Sequence, residues 1–238
     1  MKVALLLLPL ATLVACRASS PYVTTVGILK PGTTLALRVD SGTVNAYQPA
    51  TGQRRDLFTV AATALPKGTP PPAPRMRAAP LGLVVRATGT FDSLLVRVPD
   101  GVNLVVQSRH GDVNVTDIAG NARIVAQHGN VNVKLAGYAQ AAVGDGNLSV
   151  MMGATDWRGT LYFSTRRGDI ELWISAKAAF GVHLHTGDGT LFTDFGLRGT
   201  SNGRAETIDG VVNGAVTPRI DVETSAGAIR LLRLQPQP

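Results

Sequence analysis

From residue 101 onward the chain alternates apolar and polar residues in short runs, each run broken at a glycine. Taking one glycine per run gives Gly111, Gly129, Gly146, Gly168, Gly189, Gly210 and Gly227, spaced 18, 17, 22, 21, 21 and 17 residues apart. Two and four residues after the glycine stand Val113/Val115, Val131/Val133, Leu148/Val150, Ile170/Leu172 and Ile229/Leu231. Asp112/Asn114, Asn130/Asn132, Asn147/Ser149 and Asp169/Glu171 lie between them. A period of two places one set inward and the other outward on a strand. Five and three residues before the glycine the pattern recurs in Ile124/Ala126, Ala141/Val143, Phe163/Thr165, Leu184/Thr186 and Val222/Thr224. Each repeat therefore predicts two strands hinged at a glycine that adopts positive φ. A repeat near twenty residues built this way predicts a β-solenoid, here seven rungs stacked in chain order and roughly 30–35 Å long. The sixth repeat is weak, because Gly203, Ala205 and Thr207 fill its inward positions.

Upstream, Thr34–Val39 and Ser41–Val44 alternate as strands around a turn, and alternation resumes at Leu83–Arg86 and Leu94–Val98. Between them, Pro66 to Pro80 holds six prolines and reads as an extended surface loop. No segment sustains a helical period. The expected organisation is a signal peptide over 1–15, an anchor and tether over 16–30, a strand-rich cap over 31–100 containing the Pro-rich loop 66–80, and solenoid repeats over 101–234. The cap is expected to cover one open end of an all-β, parallel solenoid, and residues 232–238 the other.

The first sixteen residues have a different pattern. Met1-Lys2 leads into an apolar run from Val3 to Val14, followed by Ala15-Cys16. A positive start, a short apolar core and a small residue before the cut describe a secretory signal, too short for a spanning helix of about 20 residues. Leu13-Val14-Ala15-Cys16 resembles the bacterial lipobox. That resemblance implies cleavage before Cys16 and acylation of its thiol and new amino group. Cys16 is the sole cysteine, so the exported chain has no disulfide, and lipidation explains an otherwise unpaired thiol. Several acyl chains make a stable anchor. The expected location is the cell envelope: the outer membrane or periplasmic side where there are two membranes, otherwise the outer face of the cell membrane.

His110-Gly111-Asp112-Val113-Asn114-Val115 and His128-Gly129-Asn130-Val131-Asn132-Val133 resemble the β-strand repeats of a bacterial domain family of unknown function, usually labelled "putative adhesin". The likeness extends over about residues 81–233. It implies a β-solenoid in the cell envelope and carries no catalytic residues to transfer.

Composition adds little to this. With 16% charged residues and 5% aromatics the chain is poor in both, and its net charge of +7 suits anionic envelope partners such as phospholipid, lipopolysaccharide or acidic glycan. No basic run interleaved with aromatics marks a nucleic-acid site. The aspartates beside the corner glycines (112, 145, 169, 188, 209) read as turn residues rather than calcium ligands, since their spacing is not nine residues. His110 and His128 should stack about 5 Å apart on neighbouring rungs, and His183 and His185 should share an outer face. Each pair lacks an evident third ligand, so no metal and no cofactor is expected. Trp157, Tyr162, Trp173 and Phe192 either pack under a loop from residues 21–80 or form a candidate ligand face for sugar rings or a protein. The function expected first is a non-catalytic adhesin or surface scaffold. An envelope-stress sensor binding a partner protein comes second, and a polysaccharide-active β-helix enzyme, whose carboxylate pair the sequence does not supply, third.

Overall fold

The computed structural model describes residues 22–49, 55–63 and 72–234. Cys16 and the signal segment lie outside the described residues. Among those described, the regular elements are all strands: β1 (Tyr22–Ile28), β2 (Thr34–Tyr47), β3 (Leu57–Thr63), β4 (Arg75–Ala79) and β5 (Gly82–Arg97). Four pairs follow: β6 (Asn103–His110) with β7 (Val113–Ile118), β8 (Ala122–His128) with β9 (Val131–Leu135), β10 (Ala139–Asp145) with β11 (Leu148–Met152), and β12 (Thr160–Arg167) with β13 (Ile170–Ser175). The chain continues through β14 (Phe180–Thr186), β15 (Leu191–Thr193), β16 (Thr200–Asn202), β17 (Ala205–Val212), β18 (Arg219–Ala226) and β19 (Ile229–Leu234).

Parallel pairing stacks the pairs into a solenoid with two sheets meeting at a glycine corner. One inward row of the first sheet runs Val85, Leu37, Val106, Ile124, Ala141, Phe163, Val222, Leu184. In the second sheet the matching row runs Leu94, Val44, Val113, Val131, Leu148, Ile170, Ile229, Leu191. Both rows are buried up to Leu191, which is half-buried at the end of the stack. Removing this apolar area from water is the main force for stacking. Size is matched across rungs: Ala141 leaves room beside Phe163, which keeps the interior filled without strain.

The corners are held by close backbone approach. Gly42, Gly111, Gly129, Gly146, Gly168 and Gly227 all have φ between +113° and +146°. A Cβ on Gly146 would lie 2.1 Å from the Gly129 oxygen, and one on Gly227 2.1 Å from the Gly168 oxygen. No side chain fits there. Beside this spine, Thr165, Thr224 and Thr186 are buried, and their hydroxyls donate to the carbonyls of Gly146, Gly168 and Gly227 at 3.1, 3.2 and 2.8 Å. That satisfies polar groups at an otherwise apolar position.

Rung order differs from chain order in two places. β2, expected in a cap, is a full rung inserted between β5 and β6/β7, with its own corner at Gly42. β18/β19 lies between β12/β13 and β14/β15. The seven expected rungs thus become eight parallel layers among the described residues. The weak sixth repeat is no rung, since β17 runs antiparallel on β14 and folds back onto β16. Gly210 is not a corner, and a Cβ there would meet the Leu197 side chain instead. Residues 180–212 therefore close the far end, where 232–238 had been expected; of the latter, Leu232–Leu234 are part of an internal strand. At the near end, β3 and β1 extend the second sheet antiparallel from β5, and β4 extends the first. β4 lies within the Pro-rich segment that had read wholly as loop. It is short, donates from no proline and borders a single strand, the edge position where such a sequence is tolerated.

Candidate binding surface

The solenoid presents two outer faces and a corner line between them, and the polar residues sort onto these by register. Along the corner, each acid or amide accepts a backbone N–H from the next rung. Asp112 Oδ1 accepts from Asn130 (2.7 Å), Asn130 from Asn147 (3.0 Å), Asn147 from Asp169 (2.9 Å) and Asp169 from Ala228 (2.8 Å). These carboxylates therefore act as structural acceptors. On the second face Asn45, Asn114 and Asn132 form an amide ladder at 3.0 and 3.1 Å.

Asp145 belongs to an ionic cluster. Arg167 Nε and Arg166 each donate to it at 2.6 Å, and His128 lies 3.2 Å away. The Arg167 hydrogen bond, helped by that of Arg166, holds its carboxyl well below the usual carboxylate range. In return the carboxylate raises the Arg167 pKa.

His110 and His128 stack at 5.1 Å with 4° between their planes, the spacing expected from adjacent rungs. His183 and His185 share the outer face of β14 at 6.4 Å. Their Nδ1 atoms are taken up by Asp209 (2.8 Å) and the Thr207 hydroxyl (3.0 Å) on β17. Arg219, whose pKa is raised by its hydrogen bond to Asp221 (2.5 Å), lies 3.8 Å from Asp209. Among the described residues no group of three or more His, Cys, Asp or Glu side chains is placed to hold a metal ion.

The four aromatics of the expected ligand face are not brought together. Trp157 is buried, packs on Phe180 at 5.7 Å and donates Nε1 to the Arg219 carbonyl. It is a core residue at the β12–β18 step. Tyr162 is exposed on the first face. Trp173 and Phe192 are on the second face, separated by β19 and in different rows: Trp173 pairs with Leu232, and Phe192 with Arg230. Trp173 is half-buried and donates to Glu171 Oε1 at 2.7 Å, while Phe192 is exposed.

A feature that sequence reading missed lies at the near end of the first face. Arg75 pairs with Arg86, and Arg86 with Arg38, so three exposed arginines stand side by side on β4, β5 and β2. Arg77 flanks them on β4 and Arg123 lies farther off, on β8 beyond β6, and among the described residues none of the five has a carboxylate partner. Two adjoining grooves of about 500 and 470 Å³ run along this row. Arg38 and Arg86 line both, Arg75 and Arg77 the first, and Arg109, Gln107 and Ser108 the second. In chain order these arginines are scattered from 38 to 123, and only the insertion of β2 beside β5 aligns them.

A family model described as Toastrack DUF4097 matches residues 87–232. No curated protein matches the chain. Among solved structures it is similar to one described as a "putative cell adhesion protein" from Clostridium sporogenes. The identity is 11% and the TM-score 0.49, over 90% of this chain and 100% of that one. It is also similar to a "putative adhesin" from Bacteroides fragilis at 10% identity and TM-score 0.28, over 91% and 98% of the two chains.

Proposed function

We propose a function from one premise: the chain belongs to the Toastrack DUF4097 family, whose model matches more than half of its length. The His110–Val115 and His128–Val133 repeats lie within the matched segment. Our reading is a non-catalytic module of the cell envelope, an adhesin or surface scaffold, held to a membrane by a lipid on Cys16. The observation that carries it is how the acidic groups are used. Asp112 and Asp169 bind backbone N–H groups of the next rung, Asp145 is clamped by two arginines, and Glu171 is bound by Trp173. Groups so engaged stiffen a rod; a glycosidase instead needs two carboxyls facing one substrate.

Exposed Phe192 and half-buried Trp173 on the second face, and exposed Tyr162 on the first, each offer a separate apolar contact for a sugar ring or a protein. Two measurements test the reading. Intact mass of the chain extracted from bacterial envelopes should show loss of residues 1–15 and a gain of diacylglyceryl and acyl mass on Cys16; an unmodified mature chain would remove the anchor. Glycan-array and lipopolysaccharide binding of the full chain should weaken when Trp173 or Phe192 becomes alanine. Binding that ignores both substitutions would move the contact elsewhere on the rod, and turnover of any arrayed glycan would end the non-catalytic reading.

A further inference from the structure

Directly opposed like charges destabilise neighbouring strands, yet Arg75, Arg86 and Arg38 stand in one row across three strands. Among the described strands no other two arginines are paired across neighbouring strands. On the far half of the molecule Arg166 and Arg167 hold Asp145, Arg204 holds Asp188, Arg219 holds Asp221 and Arg230 approaches Glu171. At the near end Asp40, 3.8 Å from Arg109, is the carboxylate in the grooves. Guanidinium groups match phosphate oxygens bidentately and lose little on desolvation. Several spaced about one strand apart suit a lattice of phosphates better than a single small anion.

Position selects among sources of phosphate. The row begins on β4, the terminal strand of the first sheet, and the described chain begins on β1, the terminal strand of the second sheet at the same end. Six residue steps separate Cys16 from Tyr22 and span at most about 20 Å. A lipid on Cys16 would thus hold the arginine end, and not the far end, within reach of the bilayer surface. We infer that the arginine row of β4, β5 and β2, with Arg77 beside it, is a docking surface for the phosphodiester headgroups of anionic membrane lipids. The placement rests on the Cys16 anchor read above; the chemistry of the row does not. Docked so, the rod meets the membrane by its N-terminal end and is braced there by charge as well as tethered by lipid. Basic residues at a bilayer surface act within about a Debye length.

The test is the thermal unfolding of the full chain in neutral maltoside micelles, with and without phosphatidylglycerol as about one third of the amphiphile. Binding to the folded state should raise the midpoint by roughly 3–6 °C, and the rise should fade as sodium chloride is added. It should vanish in the triple variant R38S/R75S/R86S and persist in Arg198→Ser, which changes an arginine at the far end. If the triple variant unfolds without a cooperative transition, Arg86→Ser alone is used, with half the rise or less expected. An equal rise with free glycerol phosphate in lipid-free neutral micelles would overturn the membrane assignment in favour of a soluble phosphate. A rise with polygalacturonate and none with phosphatidylglycerol would overturn it in favour of an acidic glycan. A rise that survives the triple variant would overturn the site itself. Intact mass reports the anchor separately: an unacylated chain that still shows the arginine-dependent rise refutes only the anchor, and an acylated chain without it refutes only the docking surface.

Discussion

At the N-terminal end of the rod, β4 lies antiparallel on β5 and leaves arginines unpaired along its outer face. At the other end β17 lies antiparallel on β14, and its Asp209 and Thr207 take up the histidines of β14. Both ends use an antiparallel strand to stop a parallel stack, which otherwise offers a template for further strands. They differ in what is left unsatisfied. At the C-terminal end even the exposed edge of β15 is served, because Glu206 Oε2 accepts the Leu191 N–H at 2.8 Å. Phe195, with Arg233 stacked 5.2 Å from its ring centre, packs edge-on against Phe180. One end pairs its polar groups with its own side chains, and the other keeps a surplus of one charge.

Seven substitutions, in four groups, would break or sharpen that contrast. The largest effect is expected in the two end cores. Phe180→Ala and Phe91→Ala remove fully buried rings and should each cost about 3–5 kcal/mol in urea unfolding. Equal losses with an unchanged denaturant slope would show that both ends belong to one cooperative unit. A reduced slope for Phe180→Ala alone would show that the C-terminal closure frays independently.

Next come the corners nearest each end. Gly227→Ala forces both a positive φ and a 2.1 Å contact with a carbonyl oxygen, whereas Gly42→Ala meets the Phe91 oxygen at 2.8 Å. The first should cost about 3 kcal/mol and the second nearer 2, by the same unfolding measurement. A reversed order would mean that the N-terminal rungs are the more rigid.

The charge contrast gives smaller effects of opposite sign. Without anions, Arg86→Ser should stabilise the protein by a few tenths of a kcal/mol by relieving like-charge neighbours. Arg219→Ser, which strips a partner from Asp221, should destabilise it by up to about 1 kcal/mol, a figure kept low because Arg219 is part-exposed. Destabilisation in both would erase the difference between the ends.

The smallest effect concerns pH. The Asp145 carboxyl is depressed in the folded state by Arg167 and Arg166. Its contribution is therefore complete above the unfolded carboxylate pKa, about 3.9, and is lost as pH falls from there through the lower folded value. Asp145→Asn should lower stability slightly at pH 6 and flatten the acid limb of the stability curve below about pH 4. An acid limb identical to that of the unsubstituted chain would show that Asp145 is not a source of it.

The sequence made the local structure legible because both its signals are local. Period-two alternation placed Val113, Val131, Leu148, Ile170 and Ile229 on one inward row, and positive φ marked five of the seven corner glycines chosen. The stacking distance of His110 and His128 followed from strand spacing alone. Order along the stack did not, because β14 and β18 have nearly the same alternation and each would fit on β12. Asp209-Gly210-Val211-Val212 imitates a corner while lying in a straight antiparallel strand. Gly42-Thr43-Val44 follows the repeat too, but it stands before the regular series and so does not declare itself a corner. The burial of Trp157 and the alignment of Arg38 with Arg75 and Arg86 depend on those non-sequential neighbours, so both were hidden for the same reason.

The late placement of β18 and β19 has a consequence for how the chain is built. A polypeptide that emerges N-terminus first can lay β6 through β13 one rung at a time, each on a neighbour already made. β14 emerges next and finds β12 free, a seat that β18 is to occupy some 40 residues later. Long-range pairing of this kind raises contact order and slows folding. The native order is reached only if the 180–212 segment waits or withdraws, so residues 213–234 act as a latch, and a chain interrupted before Arg219 is expected to settle with a rung missing.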